Sequence, residues 1–98
     1  MTLAEATDKV KDLAGRKSGN LKSVVNFKFE EGVIHLDDTQ TPTVVSNEEK
    51  GADCTIRMKI TNFEKLMGGN LNPMMAYMSG KMKIDGDMSV AMKLSSLF

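Results

Sequence analysis

The 98-residue chain has one cysteine and one histidine. A lone Cys54 cannot close an intramolecular disulfide, so stability has to come from packing, and the composition suits a reducing compartment. With His35 alone, and carboxylates a poor ligand set by themselves, no zinc or iron centre is expected. Neither sign of charge is in excess, since 13 Lys and Arg balance 13 Asp and Glu. A nucleic-acid partner would need a net positive field or a basic stripe. Instead Glu5, Asp8 and Asp12 interleave with Lys9, Lys11, Arg16, Lys17 and Lys22, the pattern of a solvated face. Long apolar runs are also missing. The longest, residues 74–78, falls far short of the ~20 residues that cross a bilayer. Glu5 and Asp8 in the N-terminal stretch argue against a secretory signal, and the closing Ser-Ser-Leu-Phe is neither a peroxisomal address nor a lipidation box. The expected setting is the cytoplasm.

What the chain does have is clean patterning. Hydrophobic residues make up 41% and charged residues 27%, an ordinary globular composition. A chain of this length makes one domain, spanning residues 1–98, and buries roughly 60–65% of its unfolded surface. Thr2 and Glu5 have capping-box spacing, and Leu3, Ala6, Val10 and Leu13 follow at helical intervals. A helix is predicted over 3–14, with Gly15 as its C-cap. Residues 23–30 alternate, with Val25, Phe27 and Phe29 on one face, which predicts a half-buried strand. Glu31-Gly32 turns the chain into a second strand over 33–37, and a third is predicted over 43–46 behind Pro42. Residues 47–53 read as loop. Cys54, Ile56, Met58 and Ile60 alternate along a strand over 54–61. Thr61 and Glu64 then suggest a second capping box, starting a helix with Phe63, Leu66 and Met67 on its apolar side. Gly68-Gly69 ends it. Asn72-Pro73 starts another helix, which Gly80 stops. Residues 81–85 return as a strand, and Asp87 or Ser89 caps a last helix. The class is α/β of the α+β kind: five strands with helices on the one apolar face.

Catalytic groups are scarce. His35 lies between Ile34 and Leu36, so it faces away from them and is expected to point outward. Cys54 sits on an apolar strand face, where cysteine behaves as a small hydrophobe. Gly68-Gly69-Asn70 lacks the spacing of a phosphate loop. Asp37, Asp38, Asp85 and Asp87 fall at turns. No catalytic residue is assigned, and no cofactor or metal is called for. Methionine is the residual oddity: residues 72–94 hold six of the nine in the chain. Two readings stay open on composition. Methionine can fill irregular core space, or it can wall a compliant apolar pocket. A dry, rigid pocket of ~300 Å³ would cost about 7 kcal/mol at ~24 cal/mol per Å³, against a total stability of ~5–15 kcal/mol. A pocket in so small a domain must therefore collapse when empty or stay loaded.

Two stretches, GADCTIRM at 51–58 and NFEKLMGGNLNPMMAYMSGKMKIDGDMSVAMKL at 62–94, resemble the sterol carrier protein 2 family. The shared series is an Ala-Asp-Cys-Thr strand, a Phe-x-x-Leu-Met-x-Gly helix end and an Asn-Pro helix start. A Gly-Lys-x-Lys-x-x-Gly-x-Met strand and turn then lead into Ala-Met-Lys-Leu. The resemblance implies a five-stranded mixed sheet with helices on one face enclosing a hydrophobic tunnel, with 88–97 as a helix at its opening. It implies a non-enzymatic carrier of long-chain lipid: fatty acid, fatty acyl-CoA, phospholipid or sterol. The short N-terminal helix and the lack of a peroxisomal address suggest a small bacterial member, for which acyl chains are a safer ligand than sterol. The lining expected is Phe27, Phe29, Ile34, Ile56, Met58, Phe63, Leu66, Met67, Met75, Met78, Met82, Ile84, Met88, Met92 and Leu97. On this reading a lysine at Met78 or Met82 blocks uptake. Transient membrane contact and a monomer or weak dimer are compatible with it. The competing readings are an interaction or dimerisation module with a filled core, and a subunit presenting lipid to an enzyme.

Overall fold

The computed structural model describes residues 1–17, 19 and 21–94. The elements run α1 (Leu3–Arg16), β1 (Val24–Phe29), β2 (Gly32–Asp37), β3 (Val44–Ser46), β4 (Cys54–Met58), α2 (Ile60–Met67), α3 (Pro73–Met78), β5 (Met82–Gly86) and α4 (Met88–Lys93). The five strands form one sheet in the order β3-β2-β1-β4-β5. Only β1 and β4 are parallel; the other pairs are antiparallel.

Register puts the apolar positions together. Ile34, Phe27, Ile56 and Ile84 are partners in a row across β2, β1, β4 and β5. Val25, Phe29, Leu36, Cys54, Met58 and Met82 fall on the same face by the two-residue period. The helices cover that face. Phe63 of α2 sets its ring 5.4 Å from that of Phe27 and 5.0 Å from that of Phe29, the second edge-on. Tilted and edge-on pairs of this kind add ~0.5–1.5 kcal/mol beyond burial. On α1 the capping box forms as its spacing predicts: the Thr2 N–H donates to Glu5 Oε1 at 2.9 Å, and the Glu5 N–H donates to Thr2 Oγ1 at 3.2 Å.

Three expectations are corrected. The first helix runs through Gly15 to Arg16 and ends at Lys17, because nothing forces Gly15 out of helical geometry. Strand β4 stops at Met58, and α2 starts at Ile60 with no side-chain cap, so Thr61 and Glu64 do not form a capping box. Ile60 satisfies both periods, alternating with Ile56 and Met58 and also preceding Phe63 and Leu66 by helical steps. The sheet settles the matter, since pairing with β5 ends at Met58–Met82. His35 is 5% exposed, not outward-facing. Because β3 and β4 are separated by β2 and β1, segment 47–53 has to cross the sheet. It crosses the face opposite the helices: Asn26 Nδ2–H donates to the Lys50 carbonyl at 2.7 Å, and Lys28 pairs with Glu49. With the amide so oriented, His35 Nδ1–H donates to Asn26 Oδ1 at 2.6 Å beneath the crossing.

Two local devices hold the corners. Gly86 has φ +105°, and a Cβ there would lie 2.5 Å from the Asp53 carbonyl oxygen. That close approach lets the Asp87 N–H donate to the same oxygen at 2.9 Å. At the other end, buried Asp38 accepts from the N–H groups of Gly19, Leu21 and Lys22 at 2.8–2.9 Å and from the Thr43 hydroxyl at 2.6 Å. It binds the α1–β1 connection to the β2–β3 turn and holds Lys22 at φ +51°. Burial alone would raise the Asp38 pKa; the Thr43 hydroxyl and the Gly19, Lys22 and Leu21 N–H groups outweigh it and hold it below the ordinary carboxylate value. The folded pKa therefore lies below the unfolded one. The stabilisation is complete above about pH 4 and is lost as pH falls through the folded value. Asp38→Asn should cost about 1.5–3 kcal/mol at neutral pH. In urea denaturation across a pH series, the gap between variant and wild type should narrow below about pH 4.

Candidate functional site

A methionine-walled cleft lies between α3, β5 and α4. Both helices are six residues long and depend on their caps. Asn72 Oδ1 accepts from the Met74 and Met75 N–H groups at 2.9 and 3.4 Å, with Pro73 at the first helical position. Asp87 Oδ1 accepts from the Ser89 N–H and hydroxyl at 2.9 and 2.6 Å, and the Ser89 hydroxyl holds the Asp87 carboxyl below its usual pKa. The helices dock through small side chains: Ala76 on α3, Val90 and Ala91 on α4. Their longer side chains are left to wall the space between. From α3 come Pro73, Met74 and Tyr77; from β5, Met82 and Ile84; from α4, Met88, Ala91 and Met92. None of these carries a charge. The cavity volume is ≈ 50 Å³, well below the ~300 Å³ of a typical ligand pocket. The cleft is thus nearly closed, with Met74, Tyr77, Met88 and Met92 exposed at its mouth.

The profile of the SCP-2 sterol transfer family matches residues 2–98. The chain belongs to this family. Sterol carrier protein 2 of Homo sapiens is 42% identical over 89 residues, which is 91% of this chain and 14% of that protein. The chain thus spans about a seventh of that relative's length. Sterol carrier protein 2 of Yarrowia lipolytica, in its apo form, superposes with a TM-score of 0.75 at 18% identity, covering 94% of this chain and 82% of that one. Palmitated SCP2L2 of Aedes aegypti gives 0.73 at 20% identity, covering 99% and 94%. The five-stranded mixed sheet with helices on one face is the fold of these SCP-2 structures.

Within this SCP-2 domain the expected lining residues fall into four groups. Met82, Ile84, Met88 and Met92 meet in the cleft. Phe27, Phe29, Ile34, Ile56, Met58, Phe63 and Leu66 are core residues on the same apolar face, and half-buried Met67 packs against them. Met75 and Met78 are 64% and 79% exposed and do not line the cleft. Leu97 lies outside the described residues. Sequence reasoning missed Pro73, Met74, Tyr77 and Ala91. On α3, residues 74 and 77 form one stripe and 75 and 78 another, with identical spacing. Both stripes stand at equal angles from buried Ala76, so the side of α3 on which β5 and α4 lie decides between them, a tertiary relation that local spacing does not encode.

The reactive groups stay away from the cleft. His35 is engaged by Asn26 under the crossing segment. Among the described residues, no three His, Cys, Asp or Glu side chains stand close enough to hold a metal. Cys54 is 1% exposed, and burial, followed by the charges of Asp87, Asp85 and Asp53, pushes its thiol pKa up. Thiol chemistry needs both thiolate and access. Disulfide reagents at pH 8 should modify Cys54 about a hundredfold more slowly in the folded protein than in urea. Comparable rates in the two states would contradict this burial.

Proposed function

We propose that this SCP-2 domain is a non-enzymatic carrier that holds one long acyl chain in the methionine cleft. The observation that supports the reading most is the cleft's composition: a charge-free wall on two short helices, nearly closed as it stands. Closure removes the cost of an empty rigid pocket. Opening needs only rotation of unbranched methionine side chains and small shifts of helices docked through alanine and valine. Each buried methylene then contributes about 0.8 kcal/mol. A flexible chain can thread such a cleft as it opens, whereas a rigid sterol needs the full volume at once. Fatty acids are therefore the favoured ligand, ahead of the acyl groups of acyl-CoA or phospholipid, with sterol last. The mosquito relative solved in its palmitated state agrees with a fatty-acid ligand. Specificity is loose, because an apolar wall separates neighbouring chain lengths by only ~1–3 kcal/mol per methylene. A cytoplasmic setting suits the free thiol of Cys54.

A second reading rests on Met75 and Met78, which stand out from α3 beside the cleft mouth. Their exposure suits transient contact with a membrane, a partner protein or a second copy of the chain.

Displacement of a fluorescent fatty acid, followed by native mass spectrometry, tests the carrier reading. One chain per protein should bind, and binding should raise the melting temperature, because the ligand recognises the folded state alone. Met92→Lys puts a charge at the cleft wall and should weaken uptake at least about tenfold. Met78→Lys should leave uptake unchanged, in contrast to the expectation from sequence. Loss in the Met78 variant with normal uptake in the Met92 variant would move the site to the other side of α3.

A further inference from the structure

At the end of the sheet away from Gly86, the register assembles a cluster that no single stretch of sequence contains. Lys28 of β1 is the partner of Arg57 of β4, and Arg57 is the partner of Lys83 of β5. Three cations therefore stand in a row across three adjacent strands, on the face opposite the helices. Directly opposed like charges destabilise a sheet unless something neutralises them. Lys59 and Lys81, one step beyond the Met58–Met82 pair, extend the row toward the sheet end. Together these five cations line a groove of ≈ 750 Å³ at that end of the sheet, with Phe29 and Met58 of the helix-covered face also in its lining. That volume lies within the ~300–1,000 Å³ range of ligand sites.

The local carboxylates do not balance the row. Glu49 pairs with Lys28, and Asp85 with Arg57 at 2.9 Å. Glu30 also lines the groove. Among the described residues no carboxylate forms an ion pair with Lys59, Lys81 or Lys83. Helix α2 begins at the groove with Thr61 and Asn62 in its lining, and its first turn carries no acid. Its positive end adds to the same field. The groove has the concavity to take one head group and the charge to take several negative oxygens.

We propose that this groove is a binding site for a phosphate-bearing polyanion, with Lys83, Lys81 and Lys59 as its principal contacts and Arg57 and Lys28 behind them. It stands apart from the acyl-chain site: Met58 of the groove lining is the strand partner of Met82 in the cleft wall, and the two sites share no lining residue. The phosphate comes either from a soluble ligand or from the head groups of an anionic bilayer.

Two arms distinguish these sources and leave fatty-acid uptake as a separate readout. In one, inorganic pyrophosphate is titrated at matched ionic strength while backbone amide resonances are followed. In the other, the protein is sedimented with vesicles of phosphatidylglycerol and phosphatidylcholine in equal parts, and with phosphatidylcholine alone. Saturable pyrophosphate shifts centred on residues 28, 57, 59, 81 and 83 support a soluble phosphate ligand. Sedimentation with the anionic vesicles only, lost in Lys81→Gln/Lys83→Gln, supports a lipid head group. In either arm that double variant should weaken binding at least tenfold, and Lys9→Gln/Lys11→Gln on α1 should not. The proposal is overturned if neither probe binds, if the shifts spread equally over the α1 lysines, or if the groove variant binds as wild type. Fatty-acid displacement by that same variant should stay unchanged, so failure here leaves the carrier reading standing.

Discussion

Phe63 of α2 packs against Phe27 and Phe29 of β1, and this contact divides the apolar face of the sheet into two unlike halves. Around it, Leu21, Val25, Ile34, Ile56 and Leu66 are fully buried, and α1 closes the side toward β2 and β3. These are branched or aromatic side chains with few rotamers, and they fill their volume tightly. Beyond Ile56 the character changes. Strand β5 and the two six-residue helices over it present methionine and alanine. The largest fully buried side chains all lie in the first half, whereas Met74, Met88 and Met92 of the second half are exposed.

On the carrier reading proposed above, softness there is what so small a domain requires. Fewer than a hundred residues cannot support a large permanent void, since such a cavity would consume a large part of the total stability. Methionine resolves the conflict by occupying the space itself and vacating it along a flexible side chain. The caps matter for the same reason. Helices α3 and α4 are too short to persist unaided, and Asn72 and Asp87 tie their first turns down. The cationic groove lies beyond the Met58–Met82 pair, so the proposed head-group and acyl-chain sites share no lining residue.

Local chemistry was legible in the sequence. The Thr2–Glu5 box, the Asn72-Pro73 start, the turn at Gly86 and the Asp87 cap each involve residues a few positions apart, and each is found as expected. The family resemblance identified the fold. What escaped depends on distant parts of the chain. His35 is buried because segment 47–53 must cross the sheet between β3 and β4. The start of α2 was hidden because Ile60 satisfies the strand and the helix period together. Met82, Ile84, Met88 and Met92 were legible as cleft residues. Met74 could not be told from Met75, because the two stripes flank buried Ala76 symmetrically and the placement of β5 and α4 separates them. The row of Lys28, Arg57 and Lys83 exists only in the strand register.

The central claim is that the methionine half of the core opens for an acyl chain while the aromatic half stays fixed. It is tested most directly by observing the methionine ε-methyl groups by NMR as palmitate is added. The resonances of Met74, Met82, Met88 and Met92 should shift and saturate together at one equivalent. Met75 and Met78 should stay nearly still, and so should the ring resonances of Phe27 and Phe63. Large shifts at Phe27 and Phe63 with the cleft methionines unmoved would contradict the account, as would shifts led by Met75 and Met78.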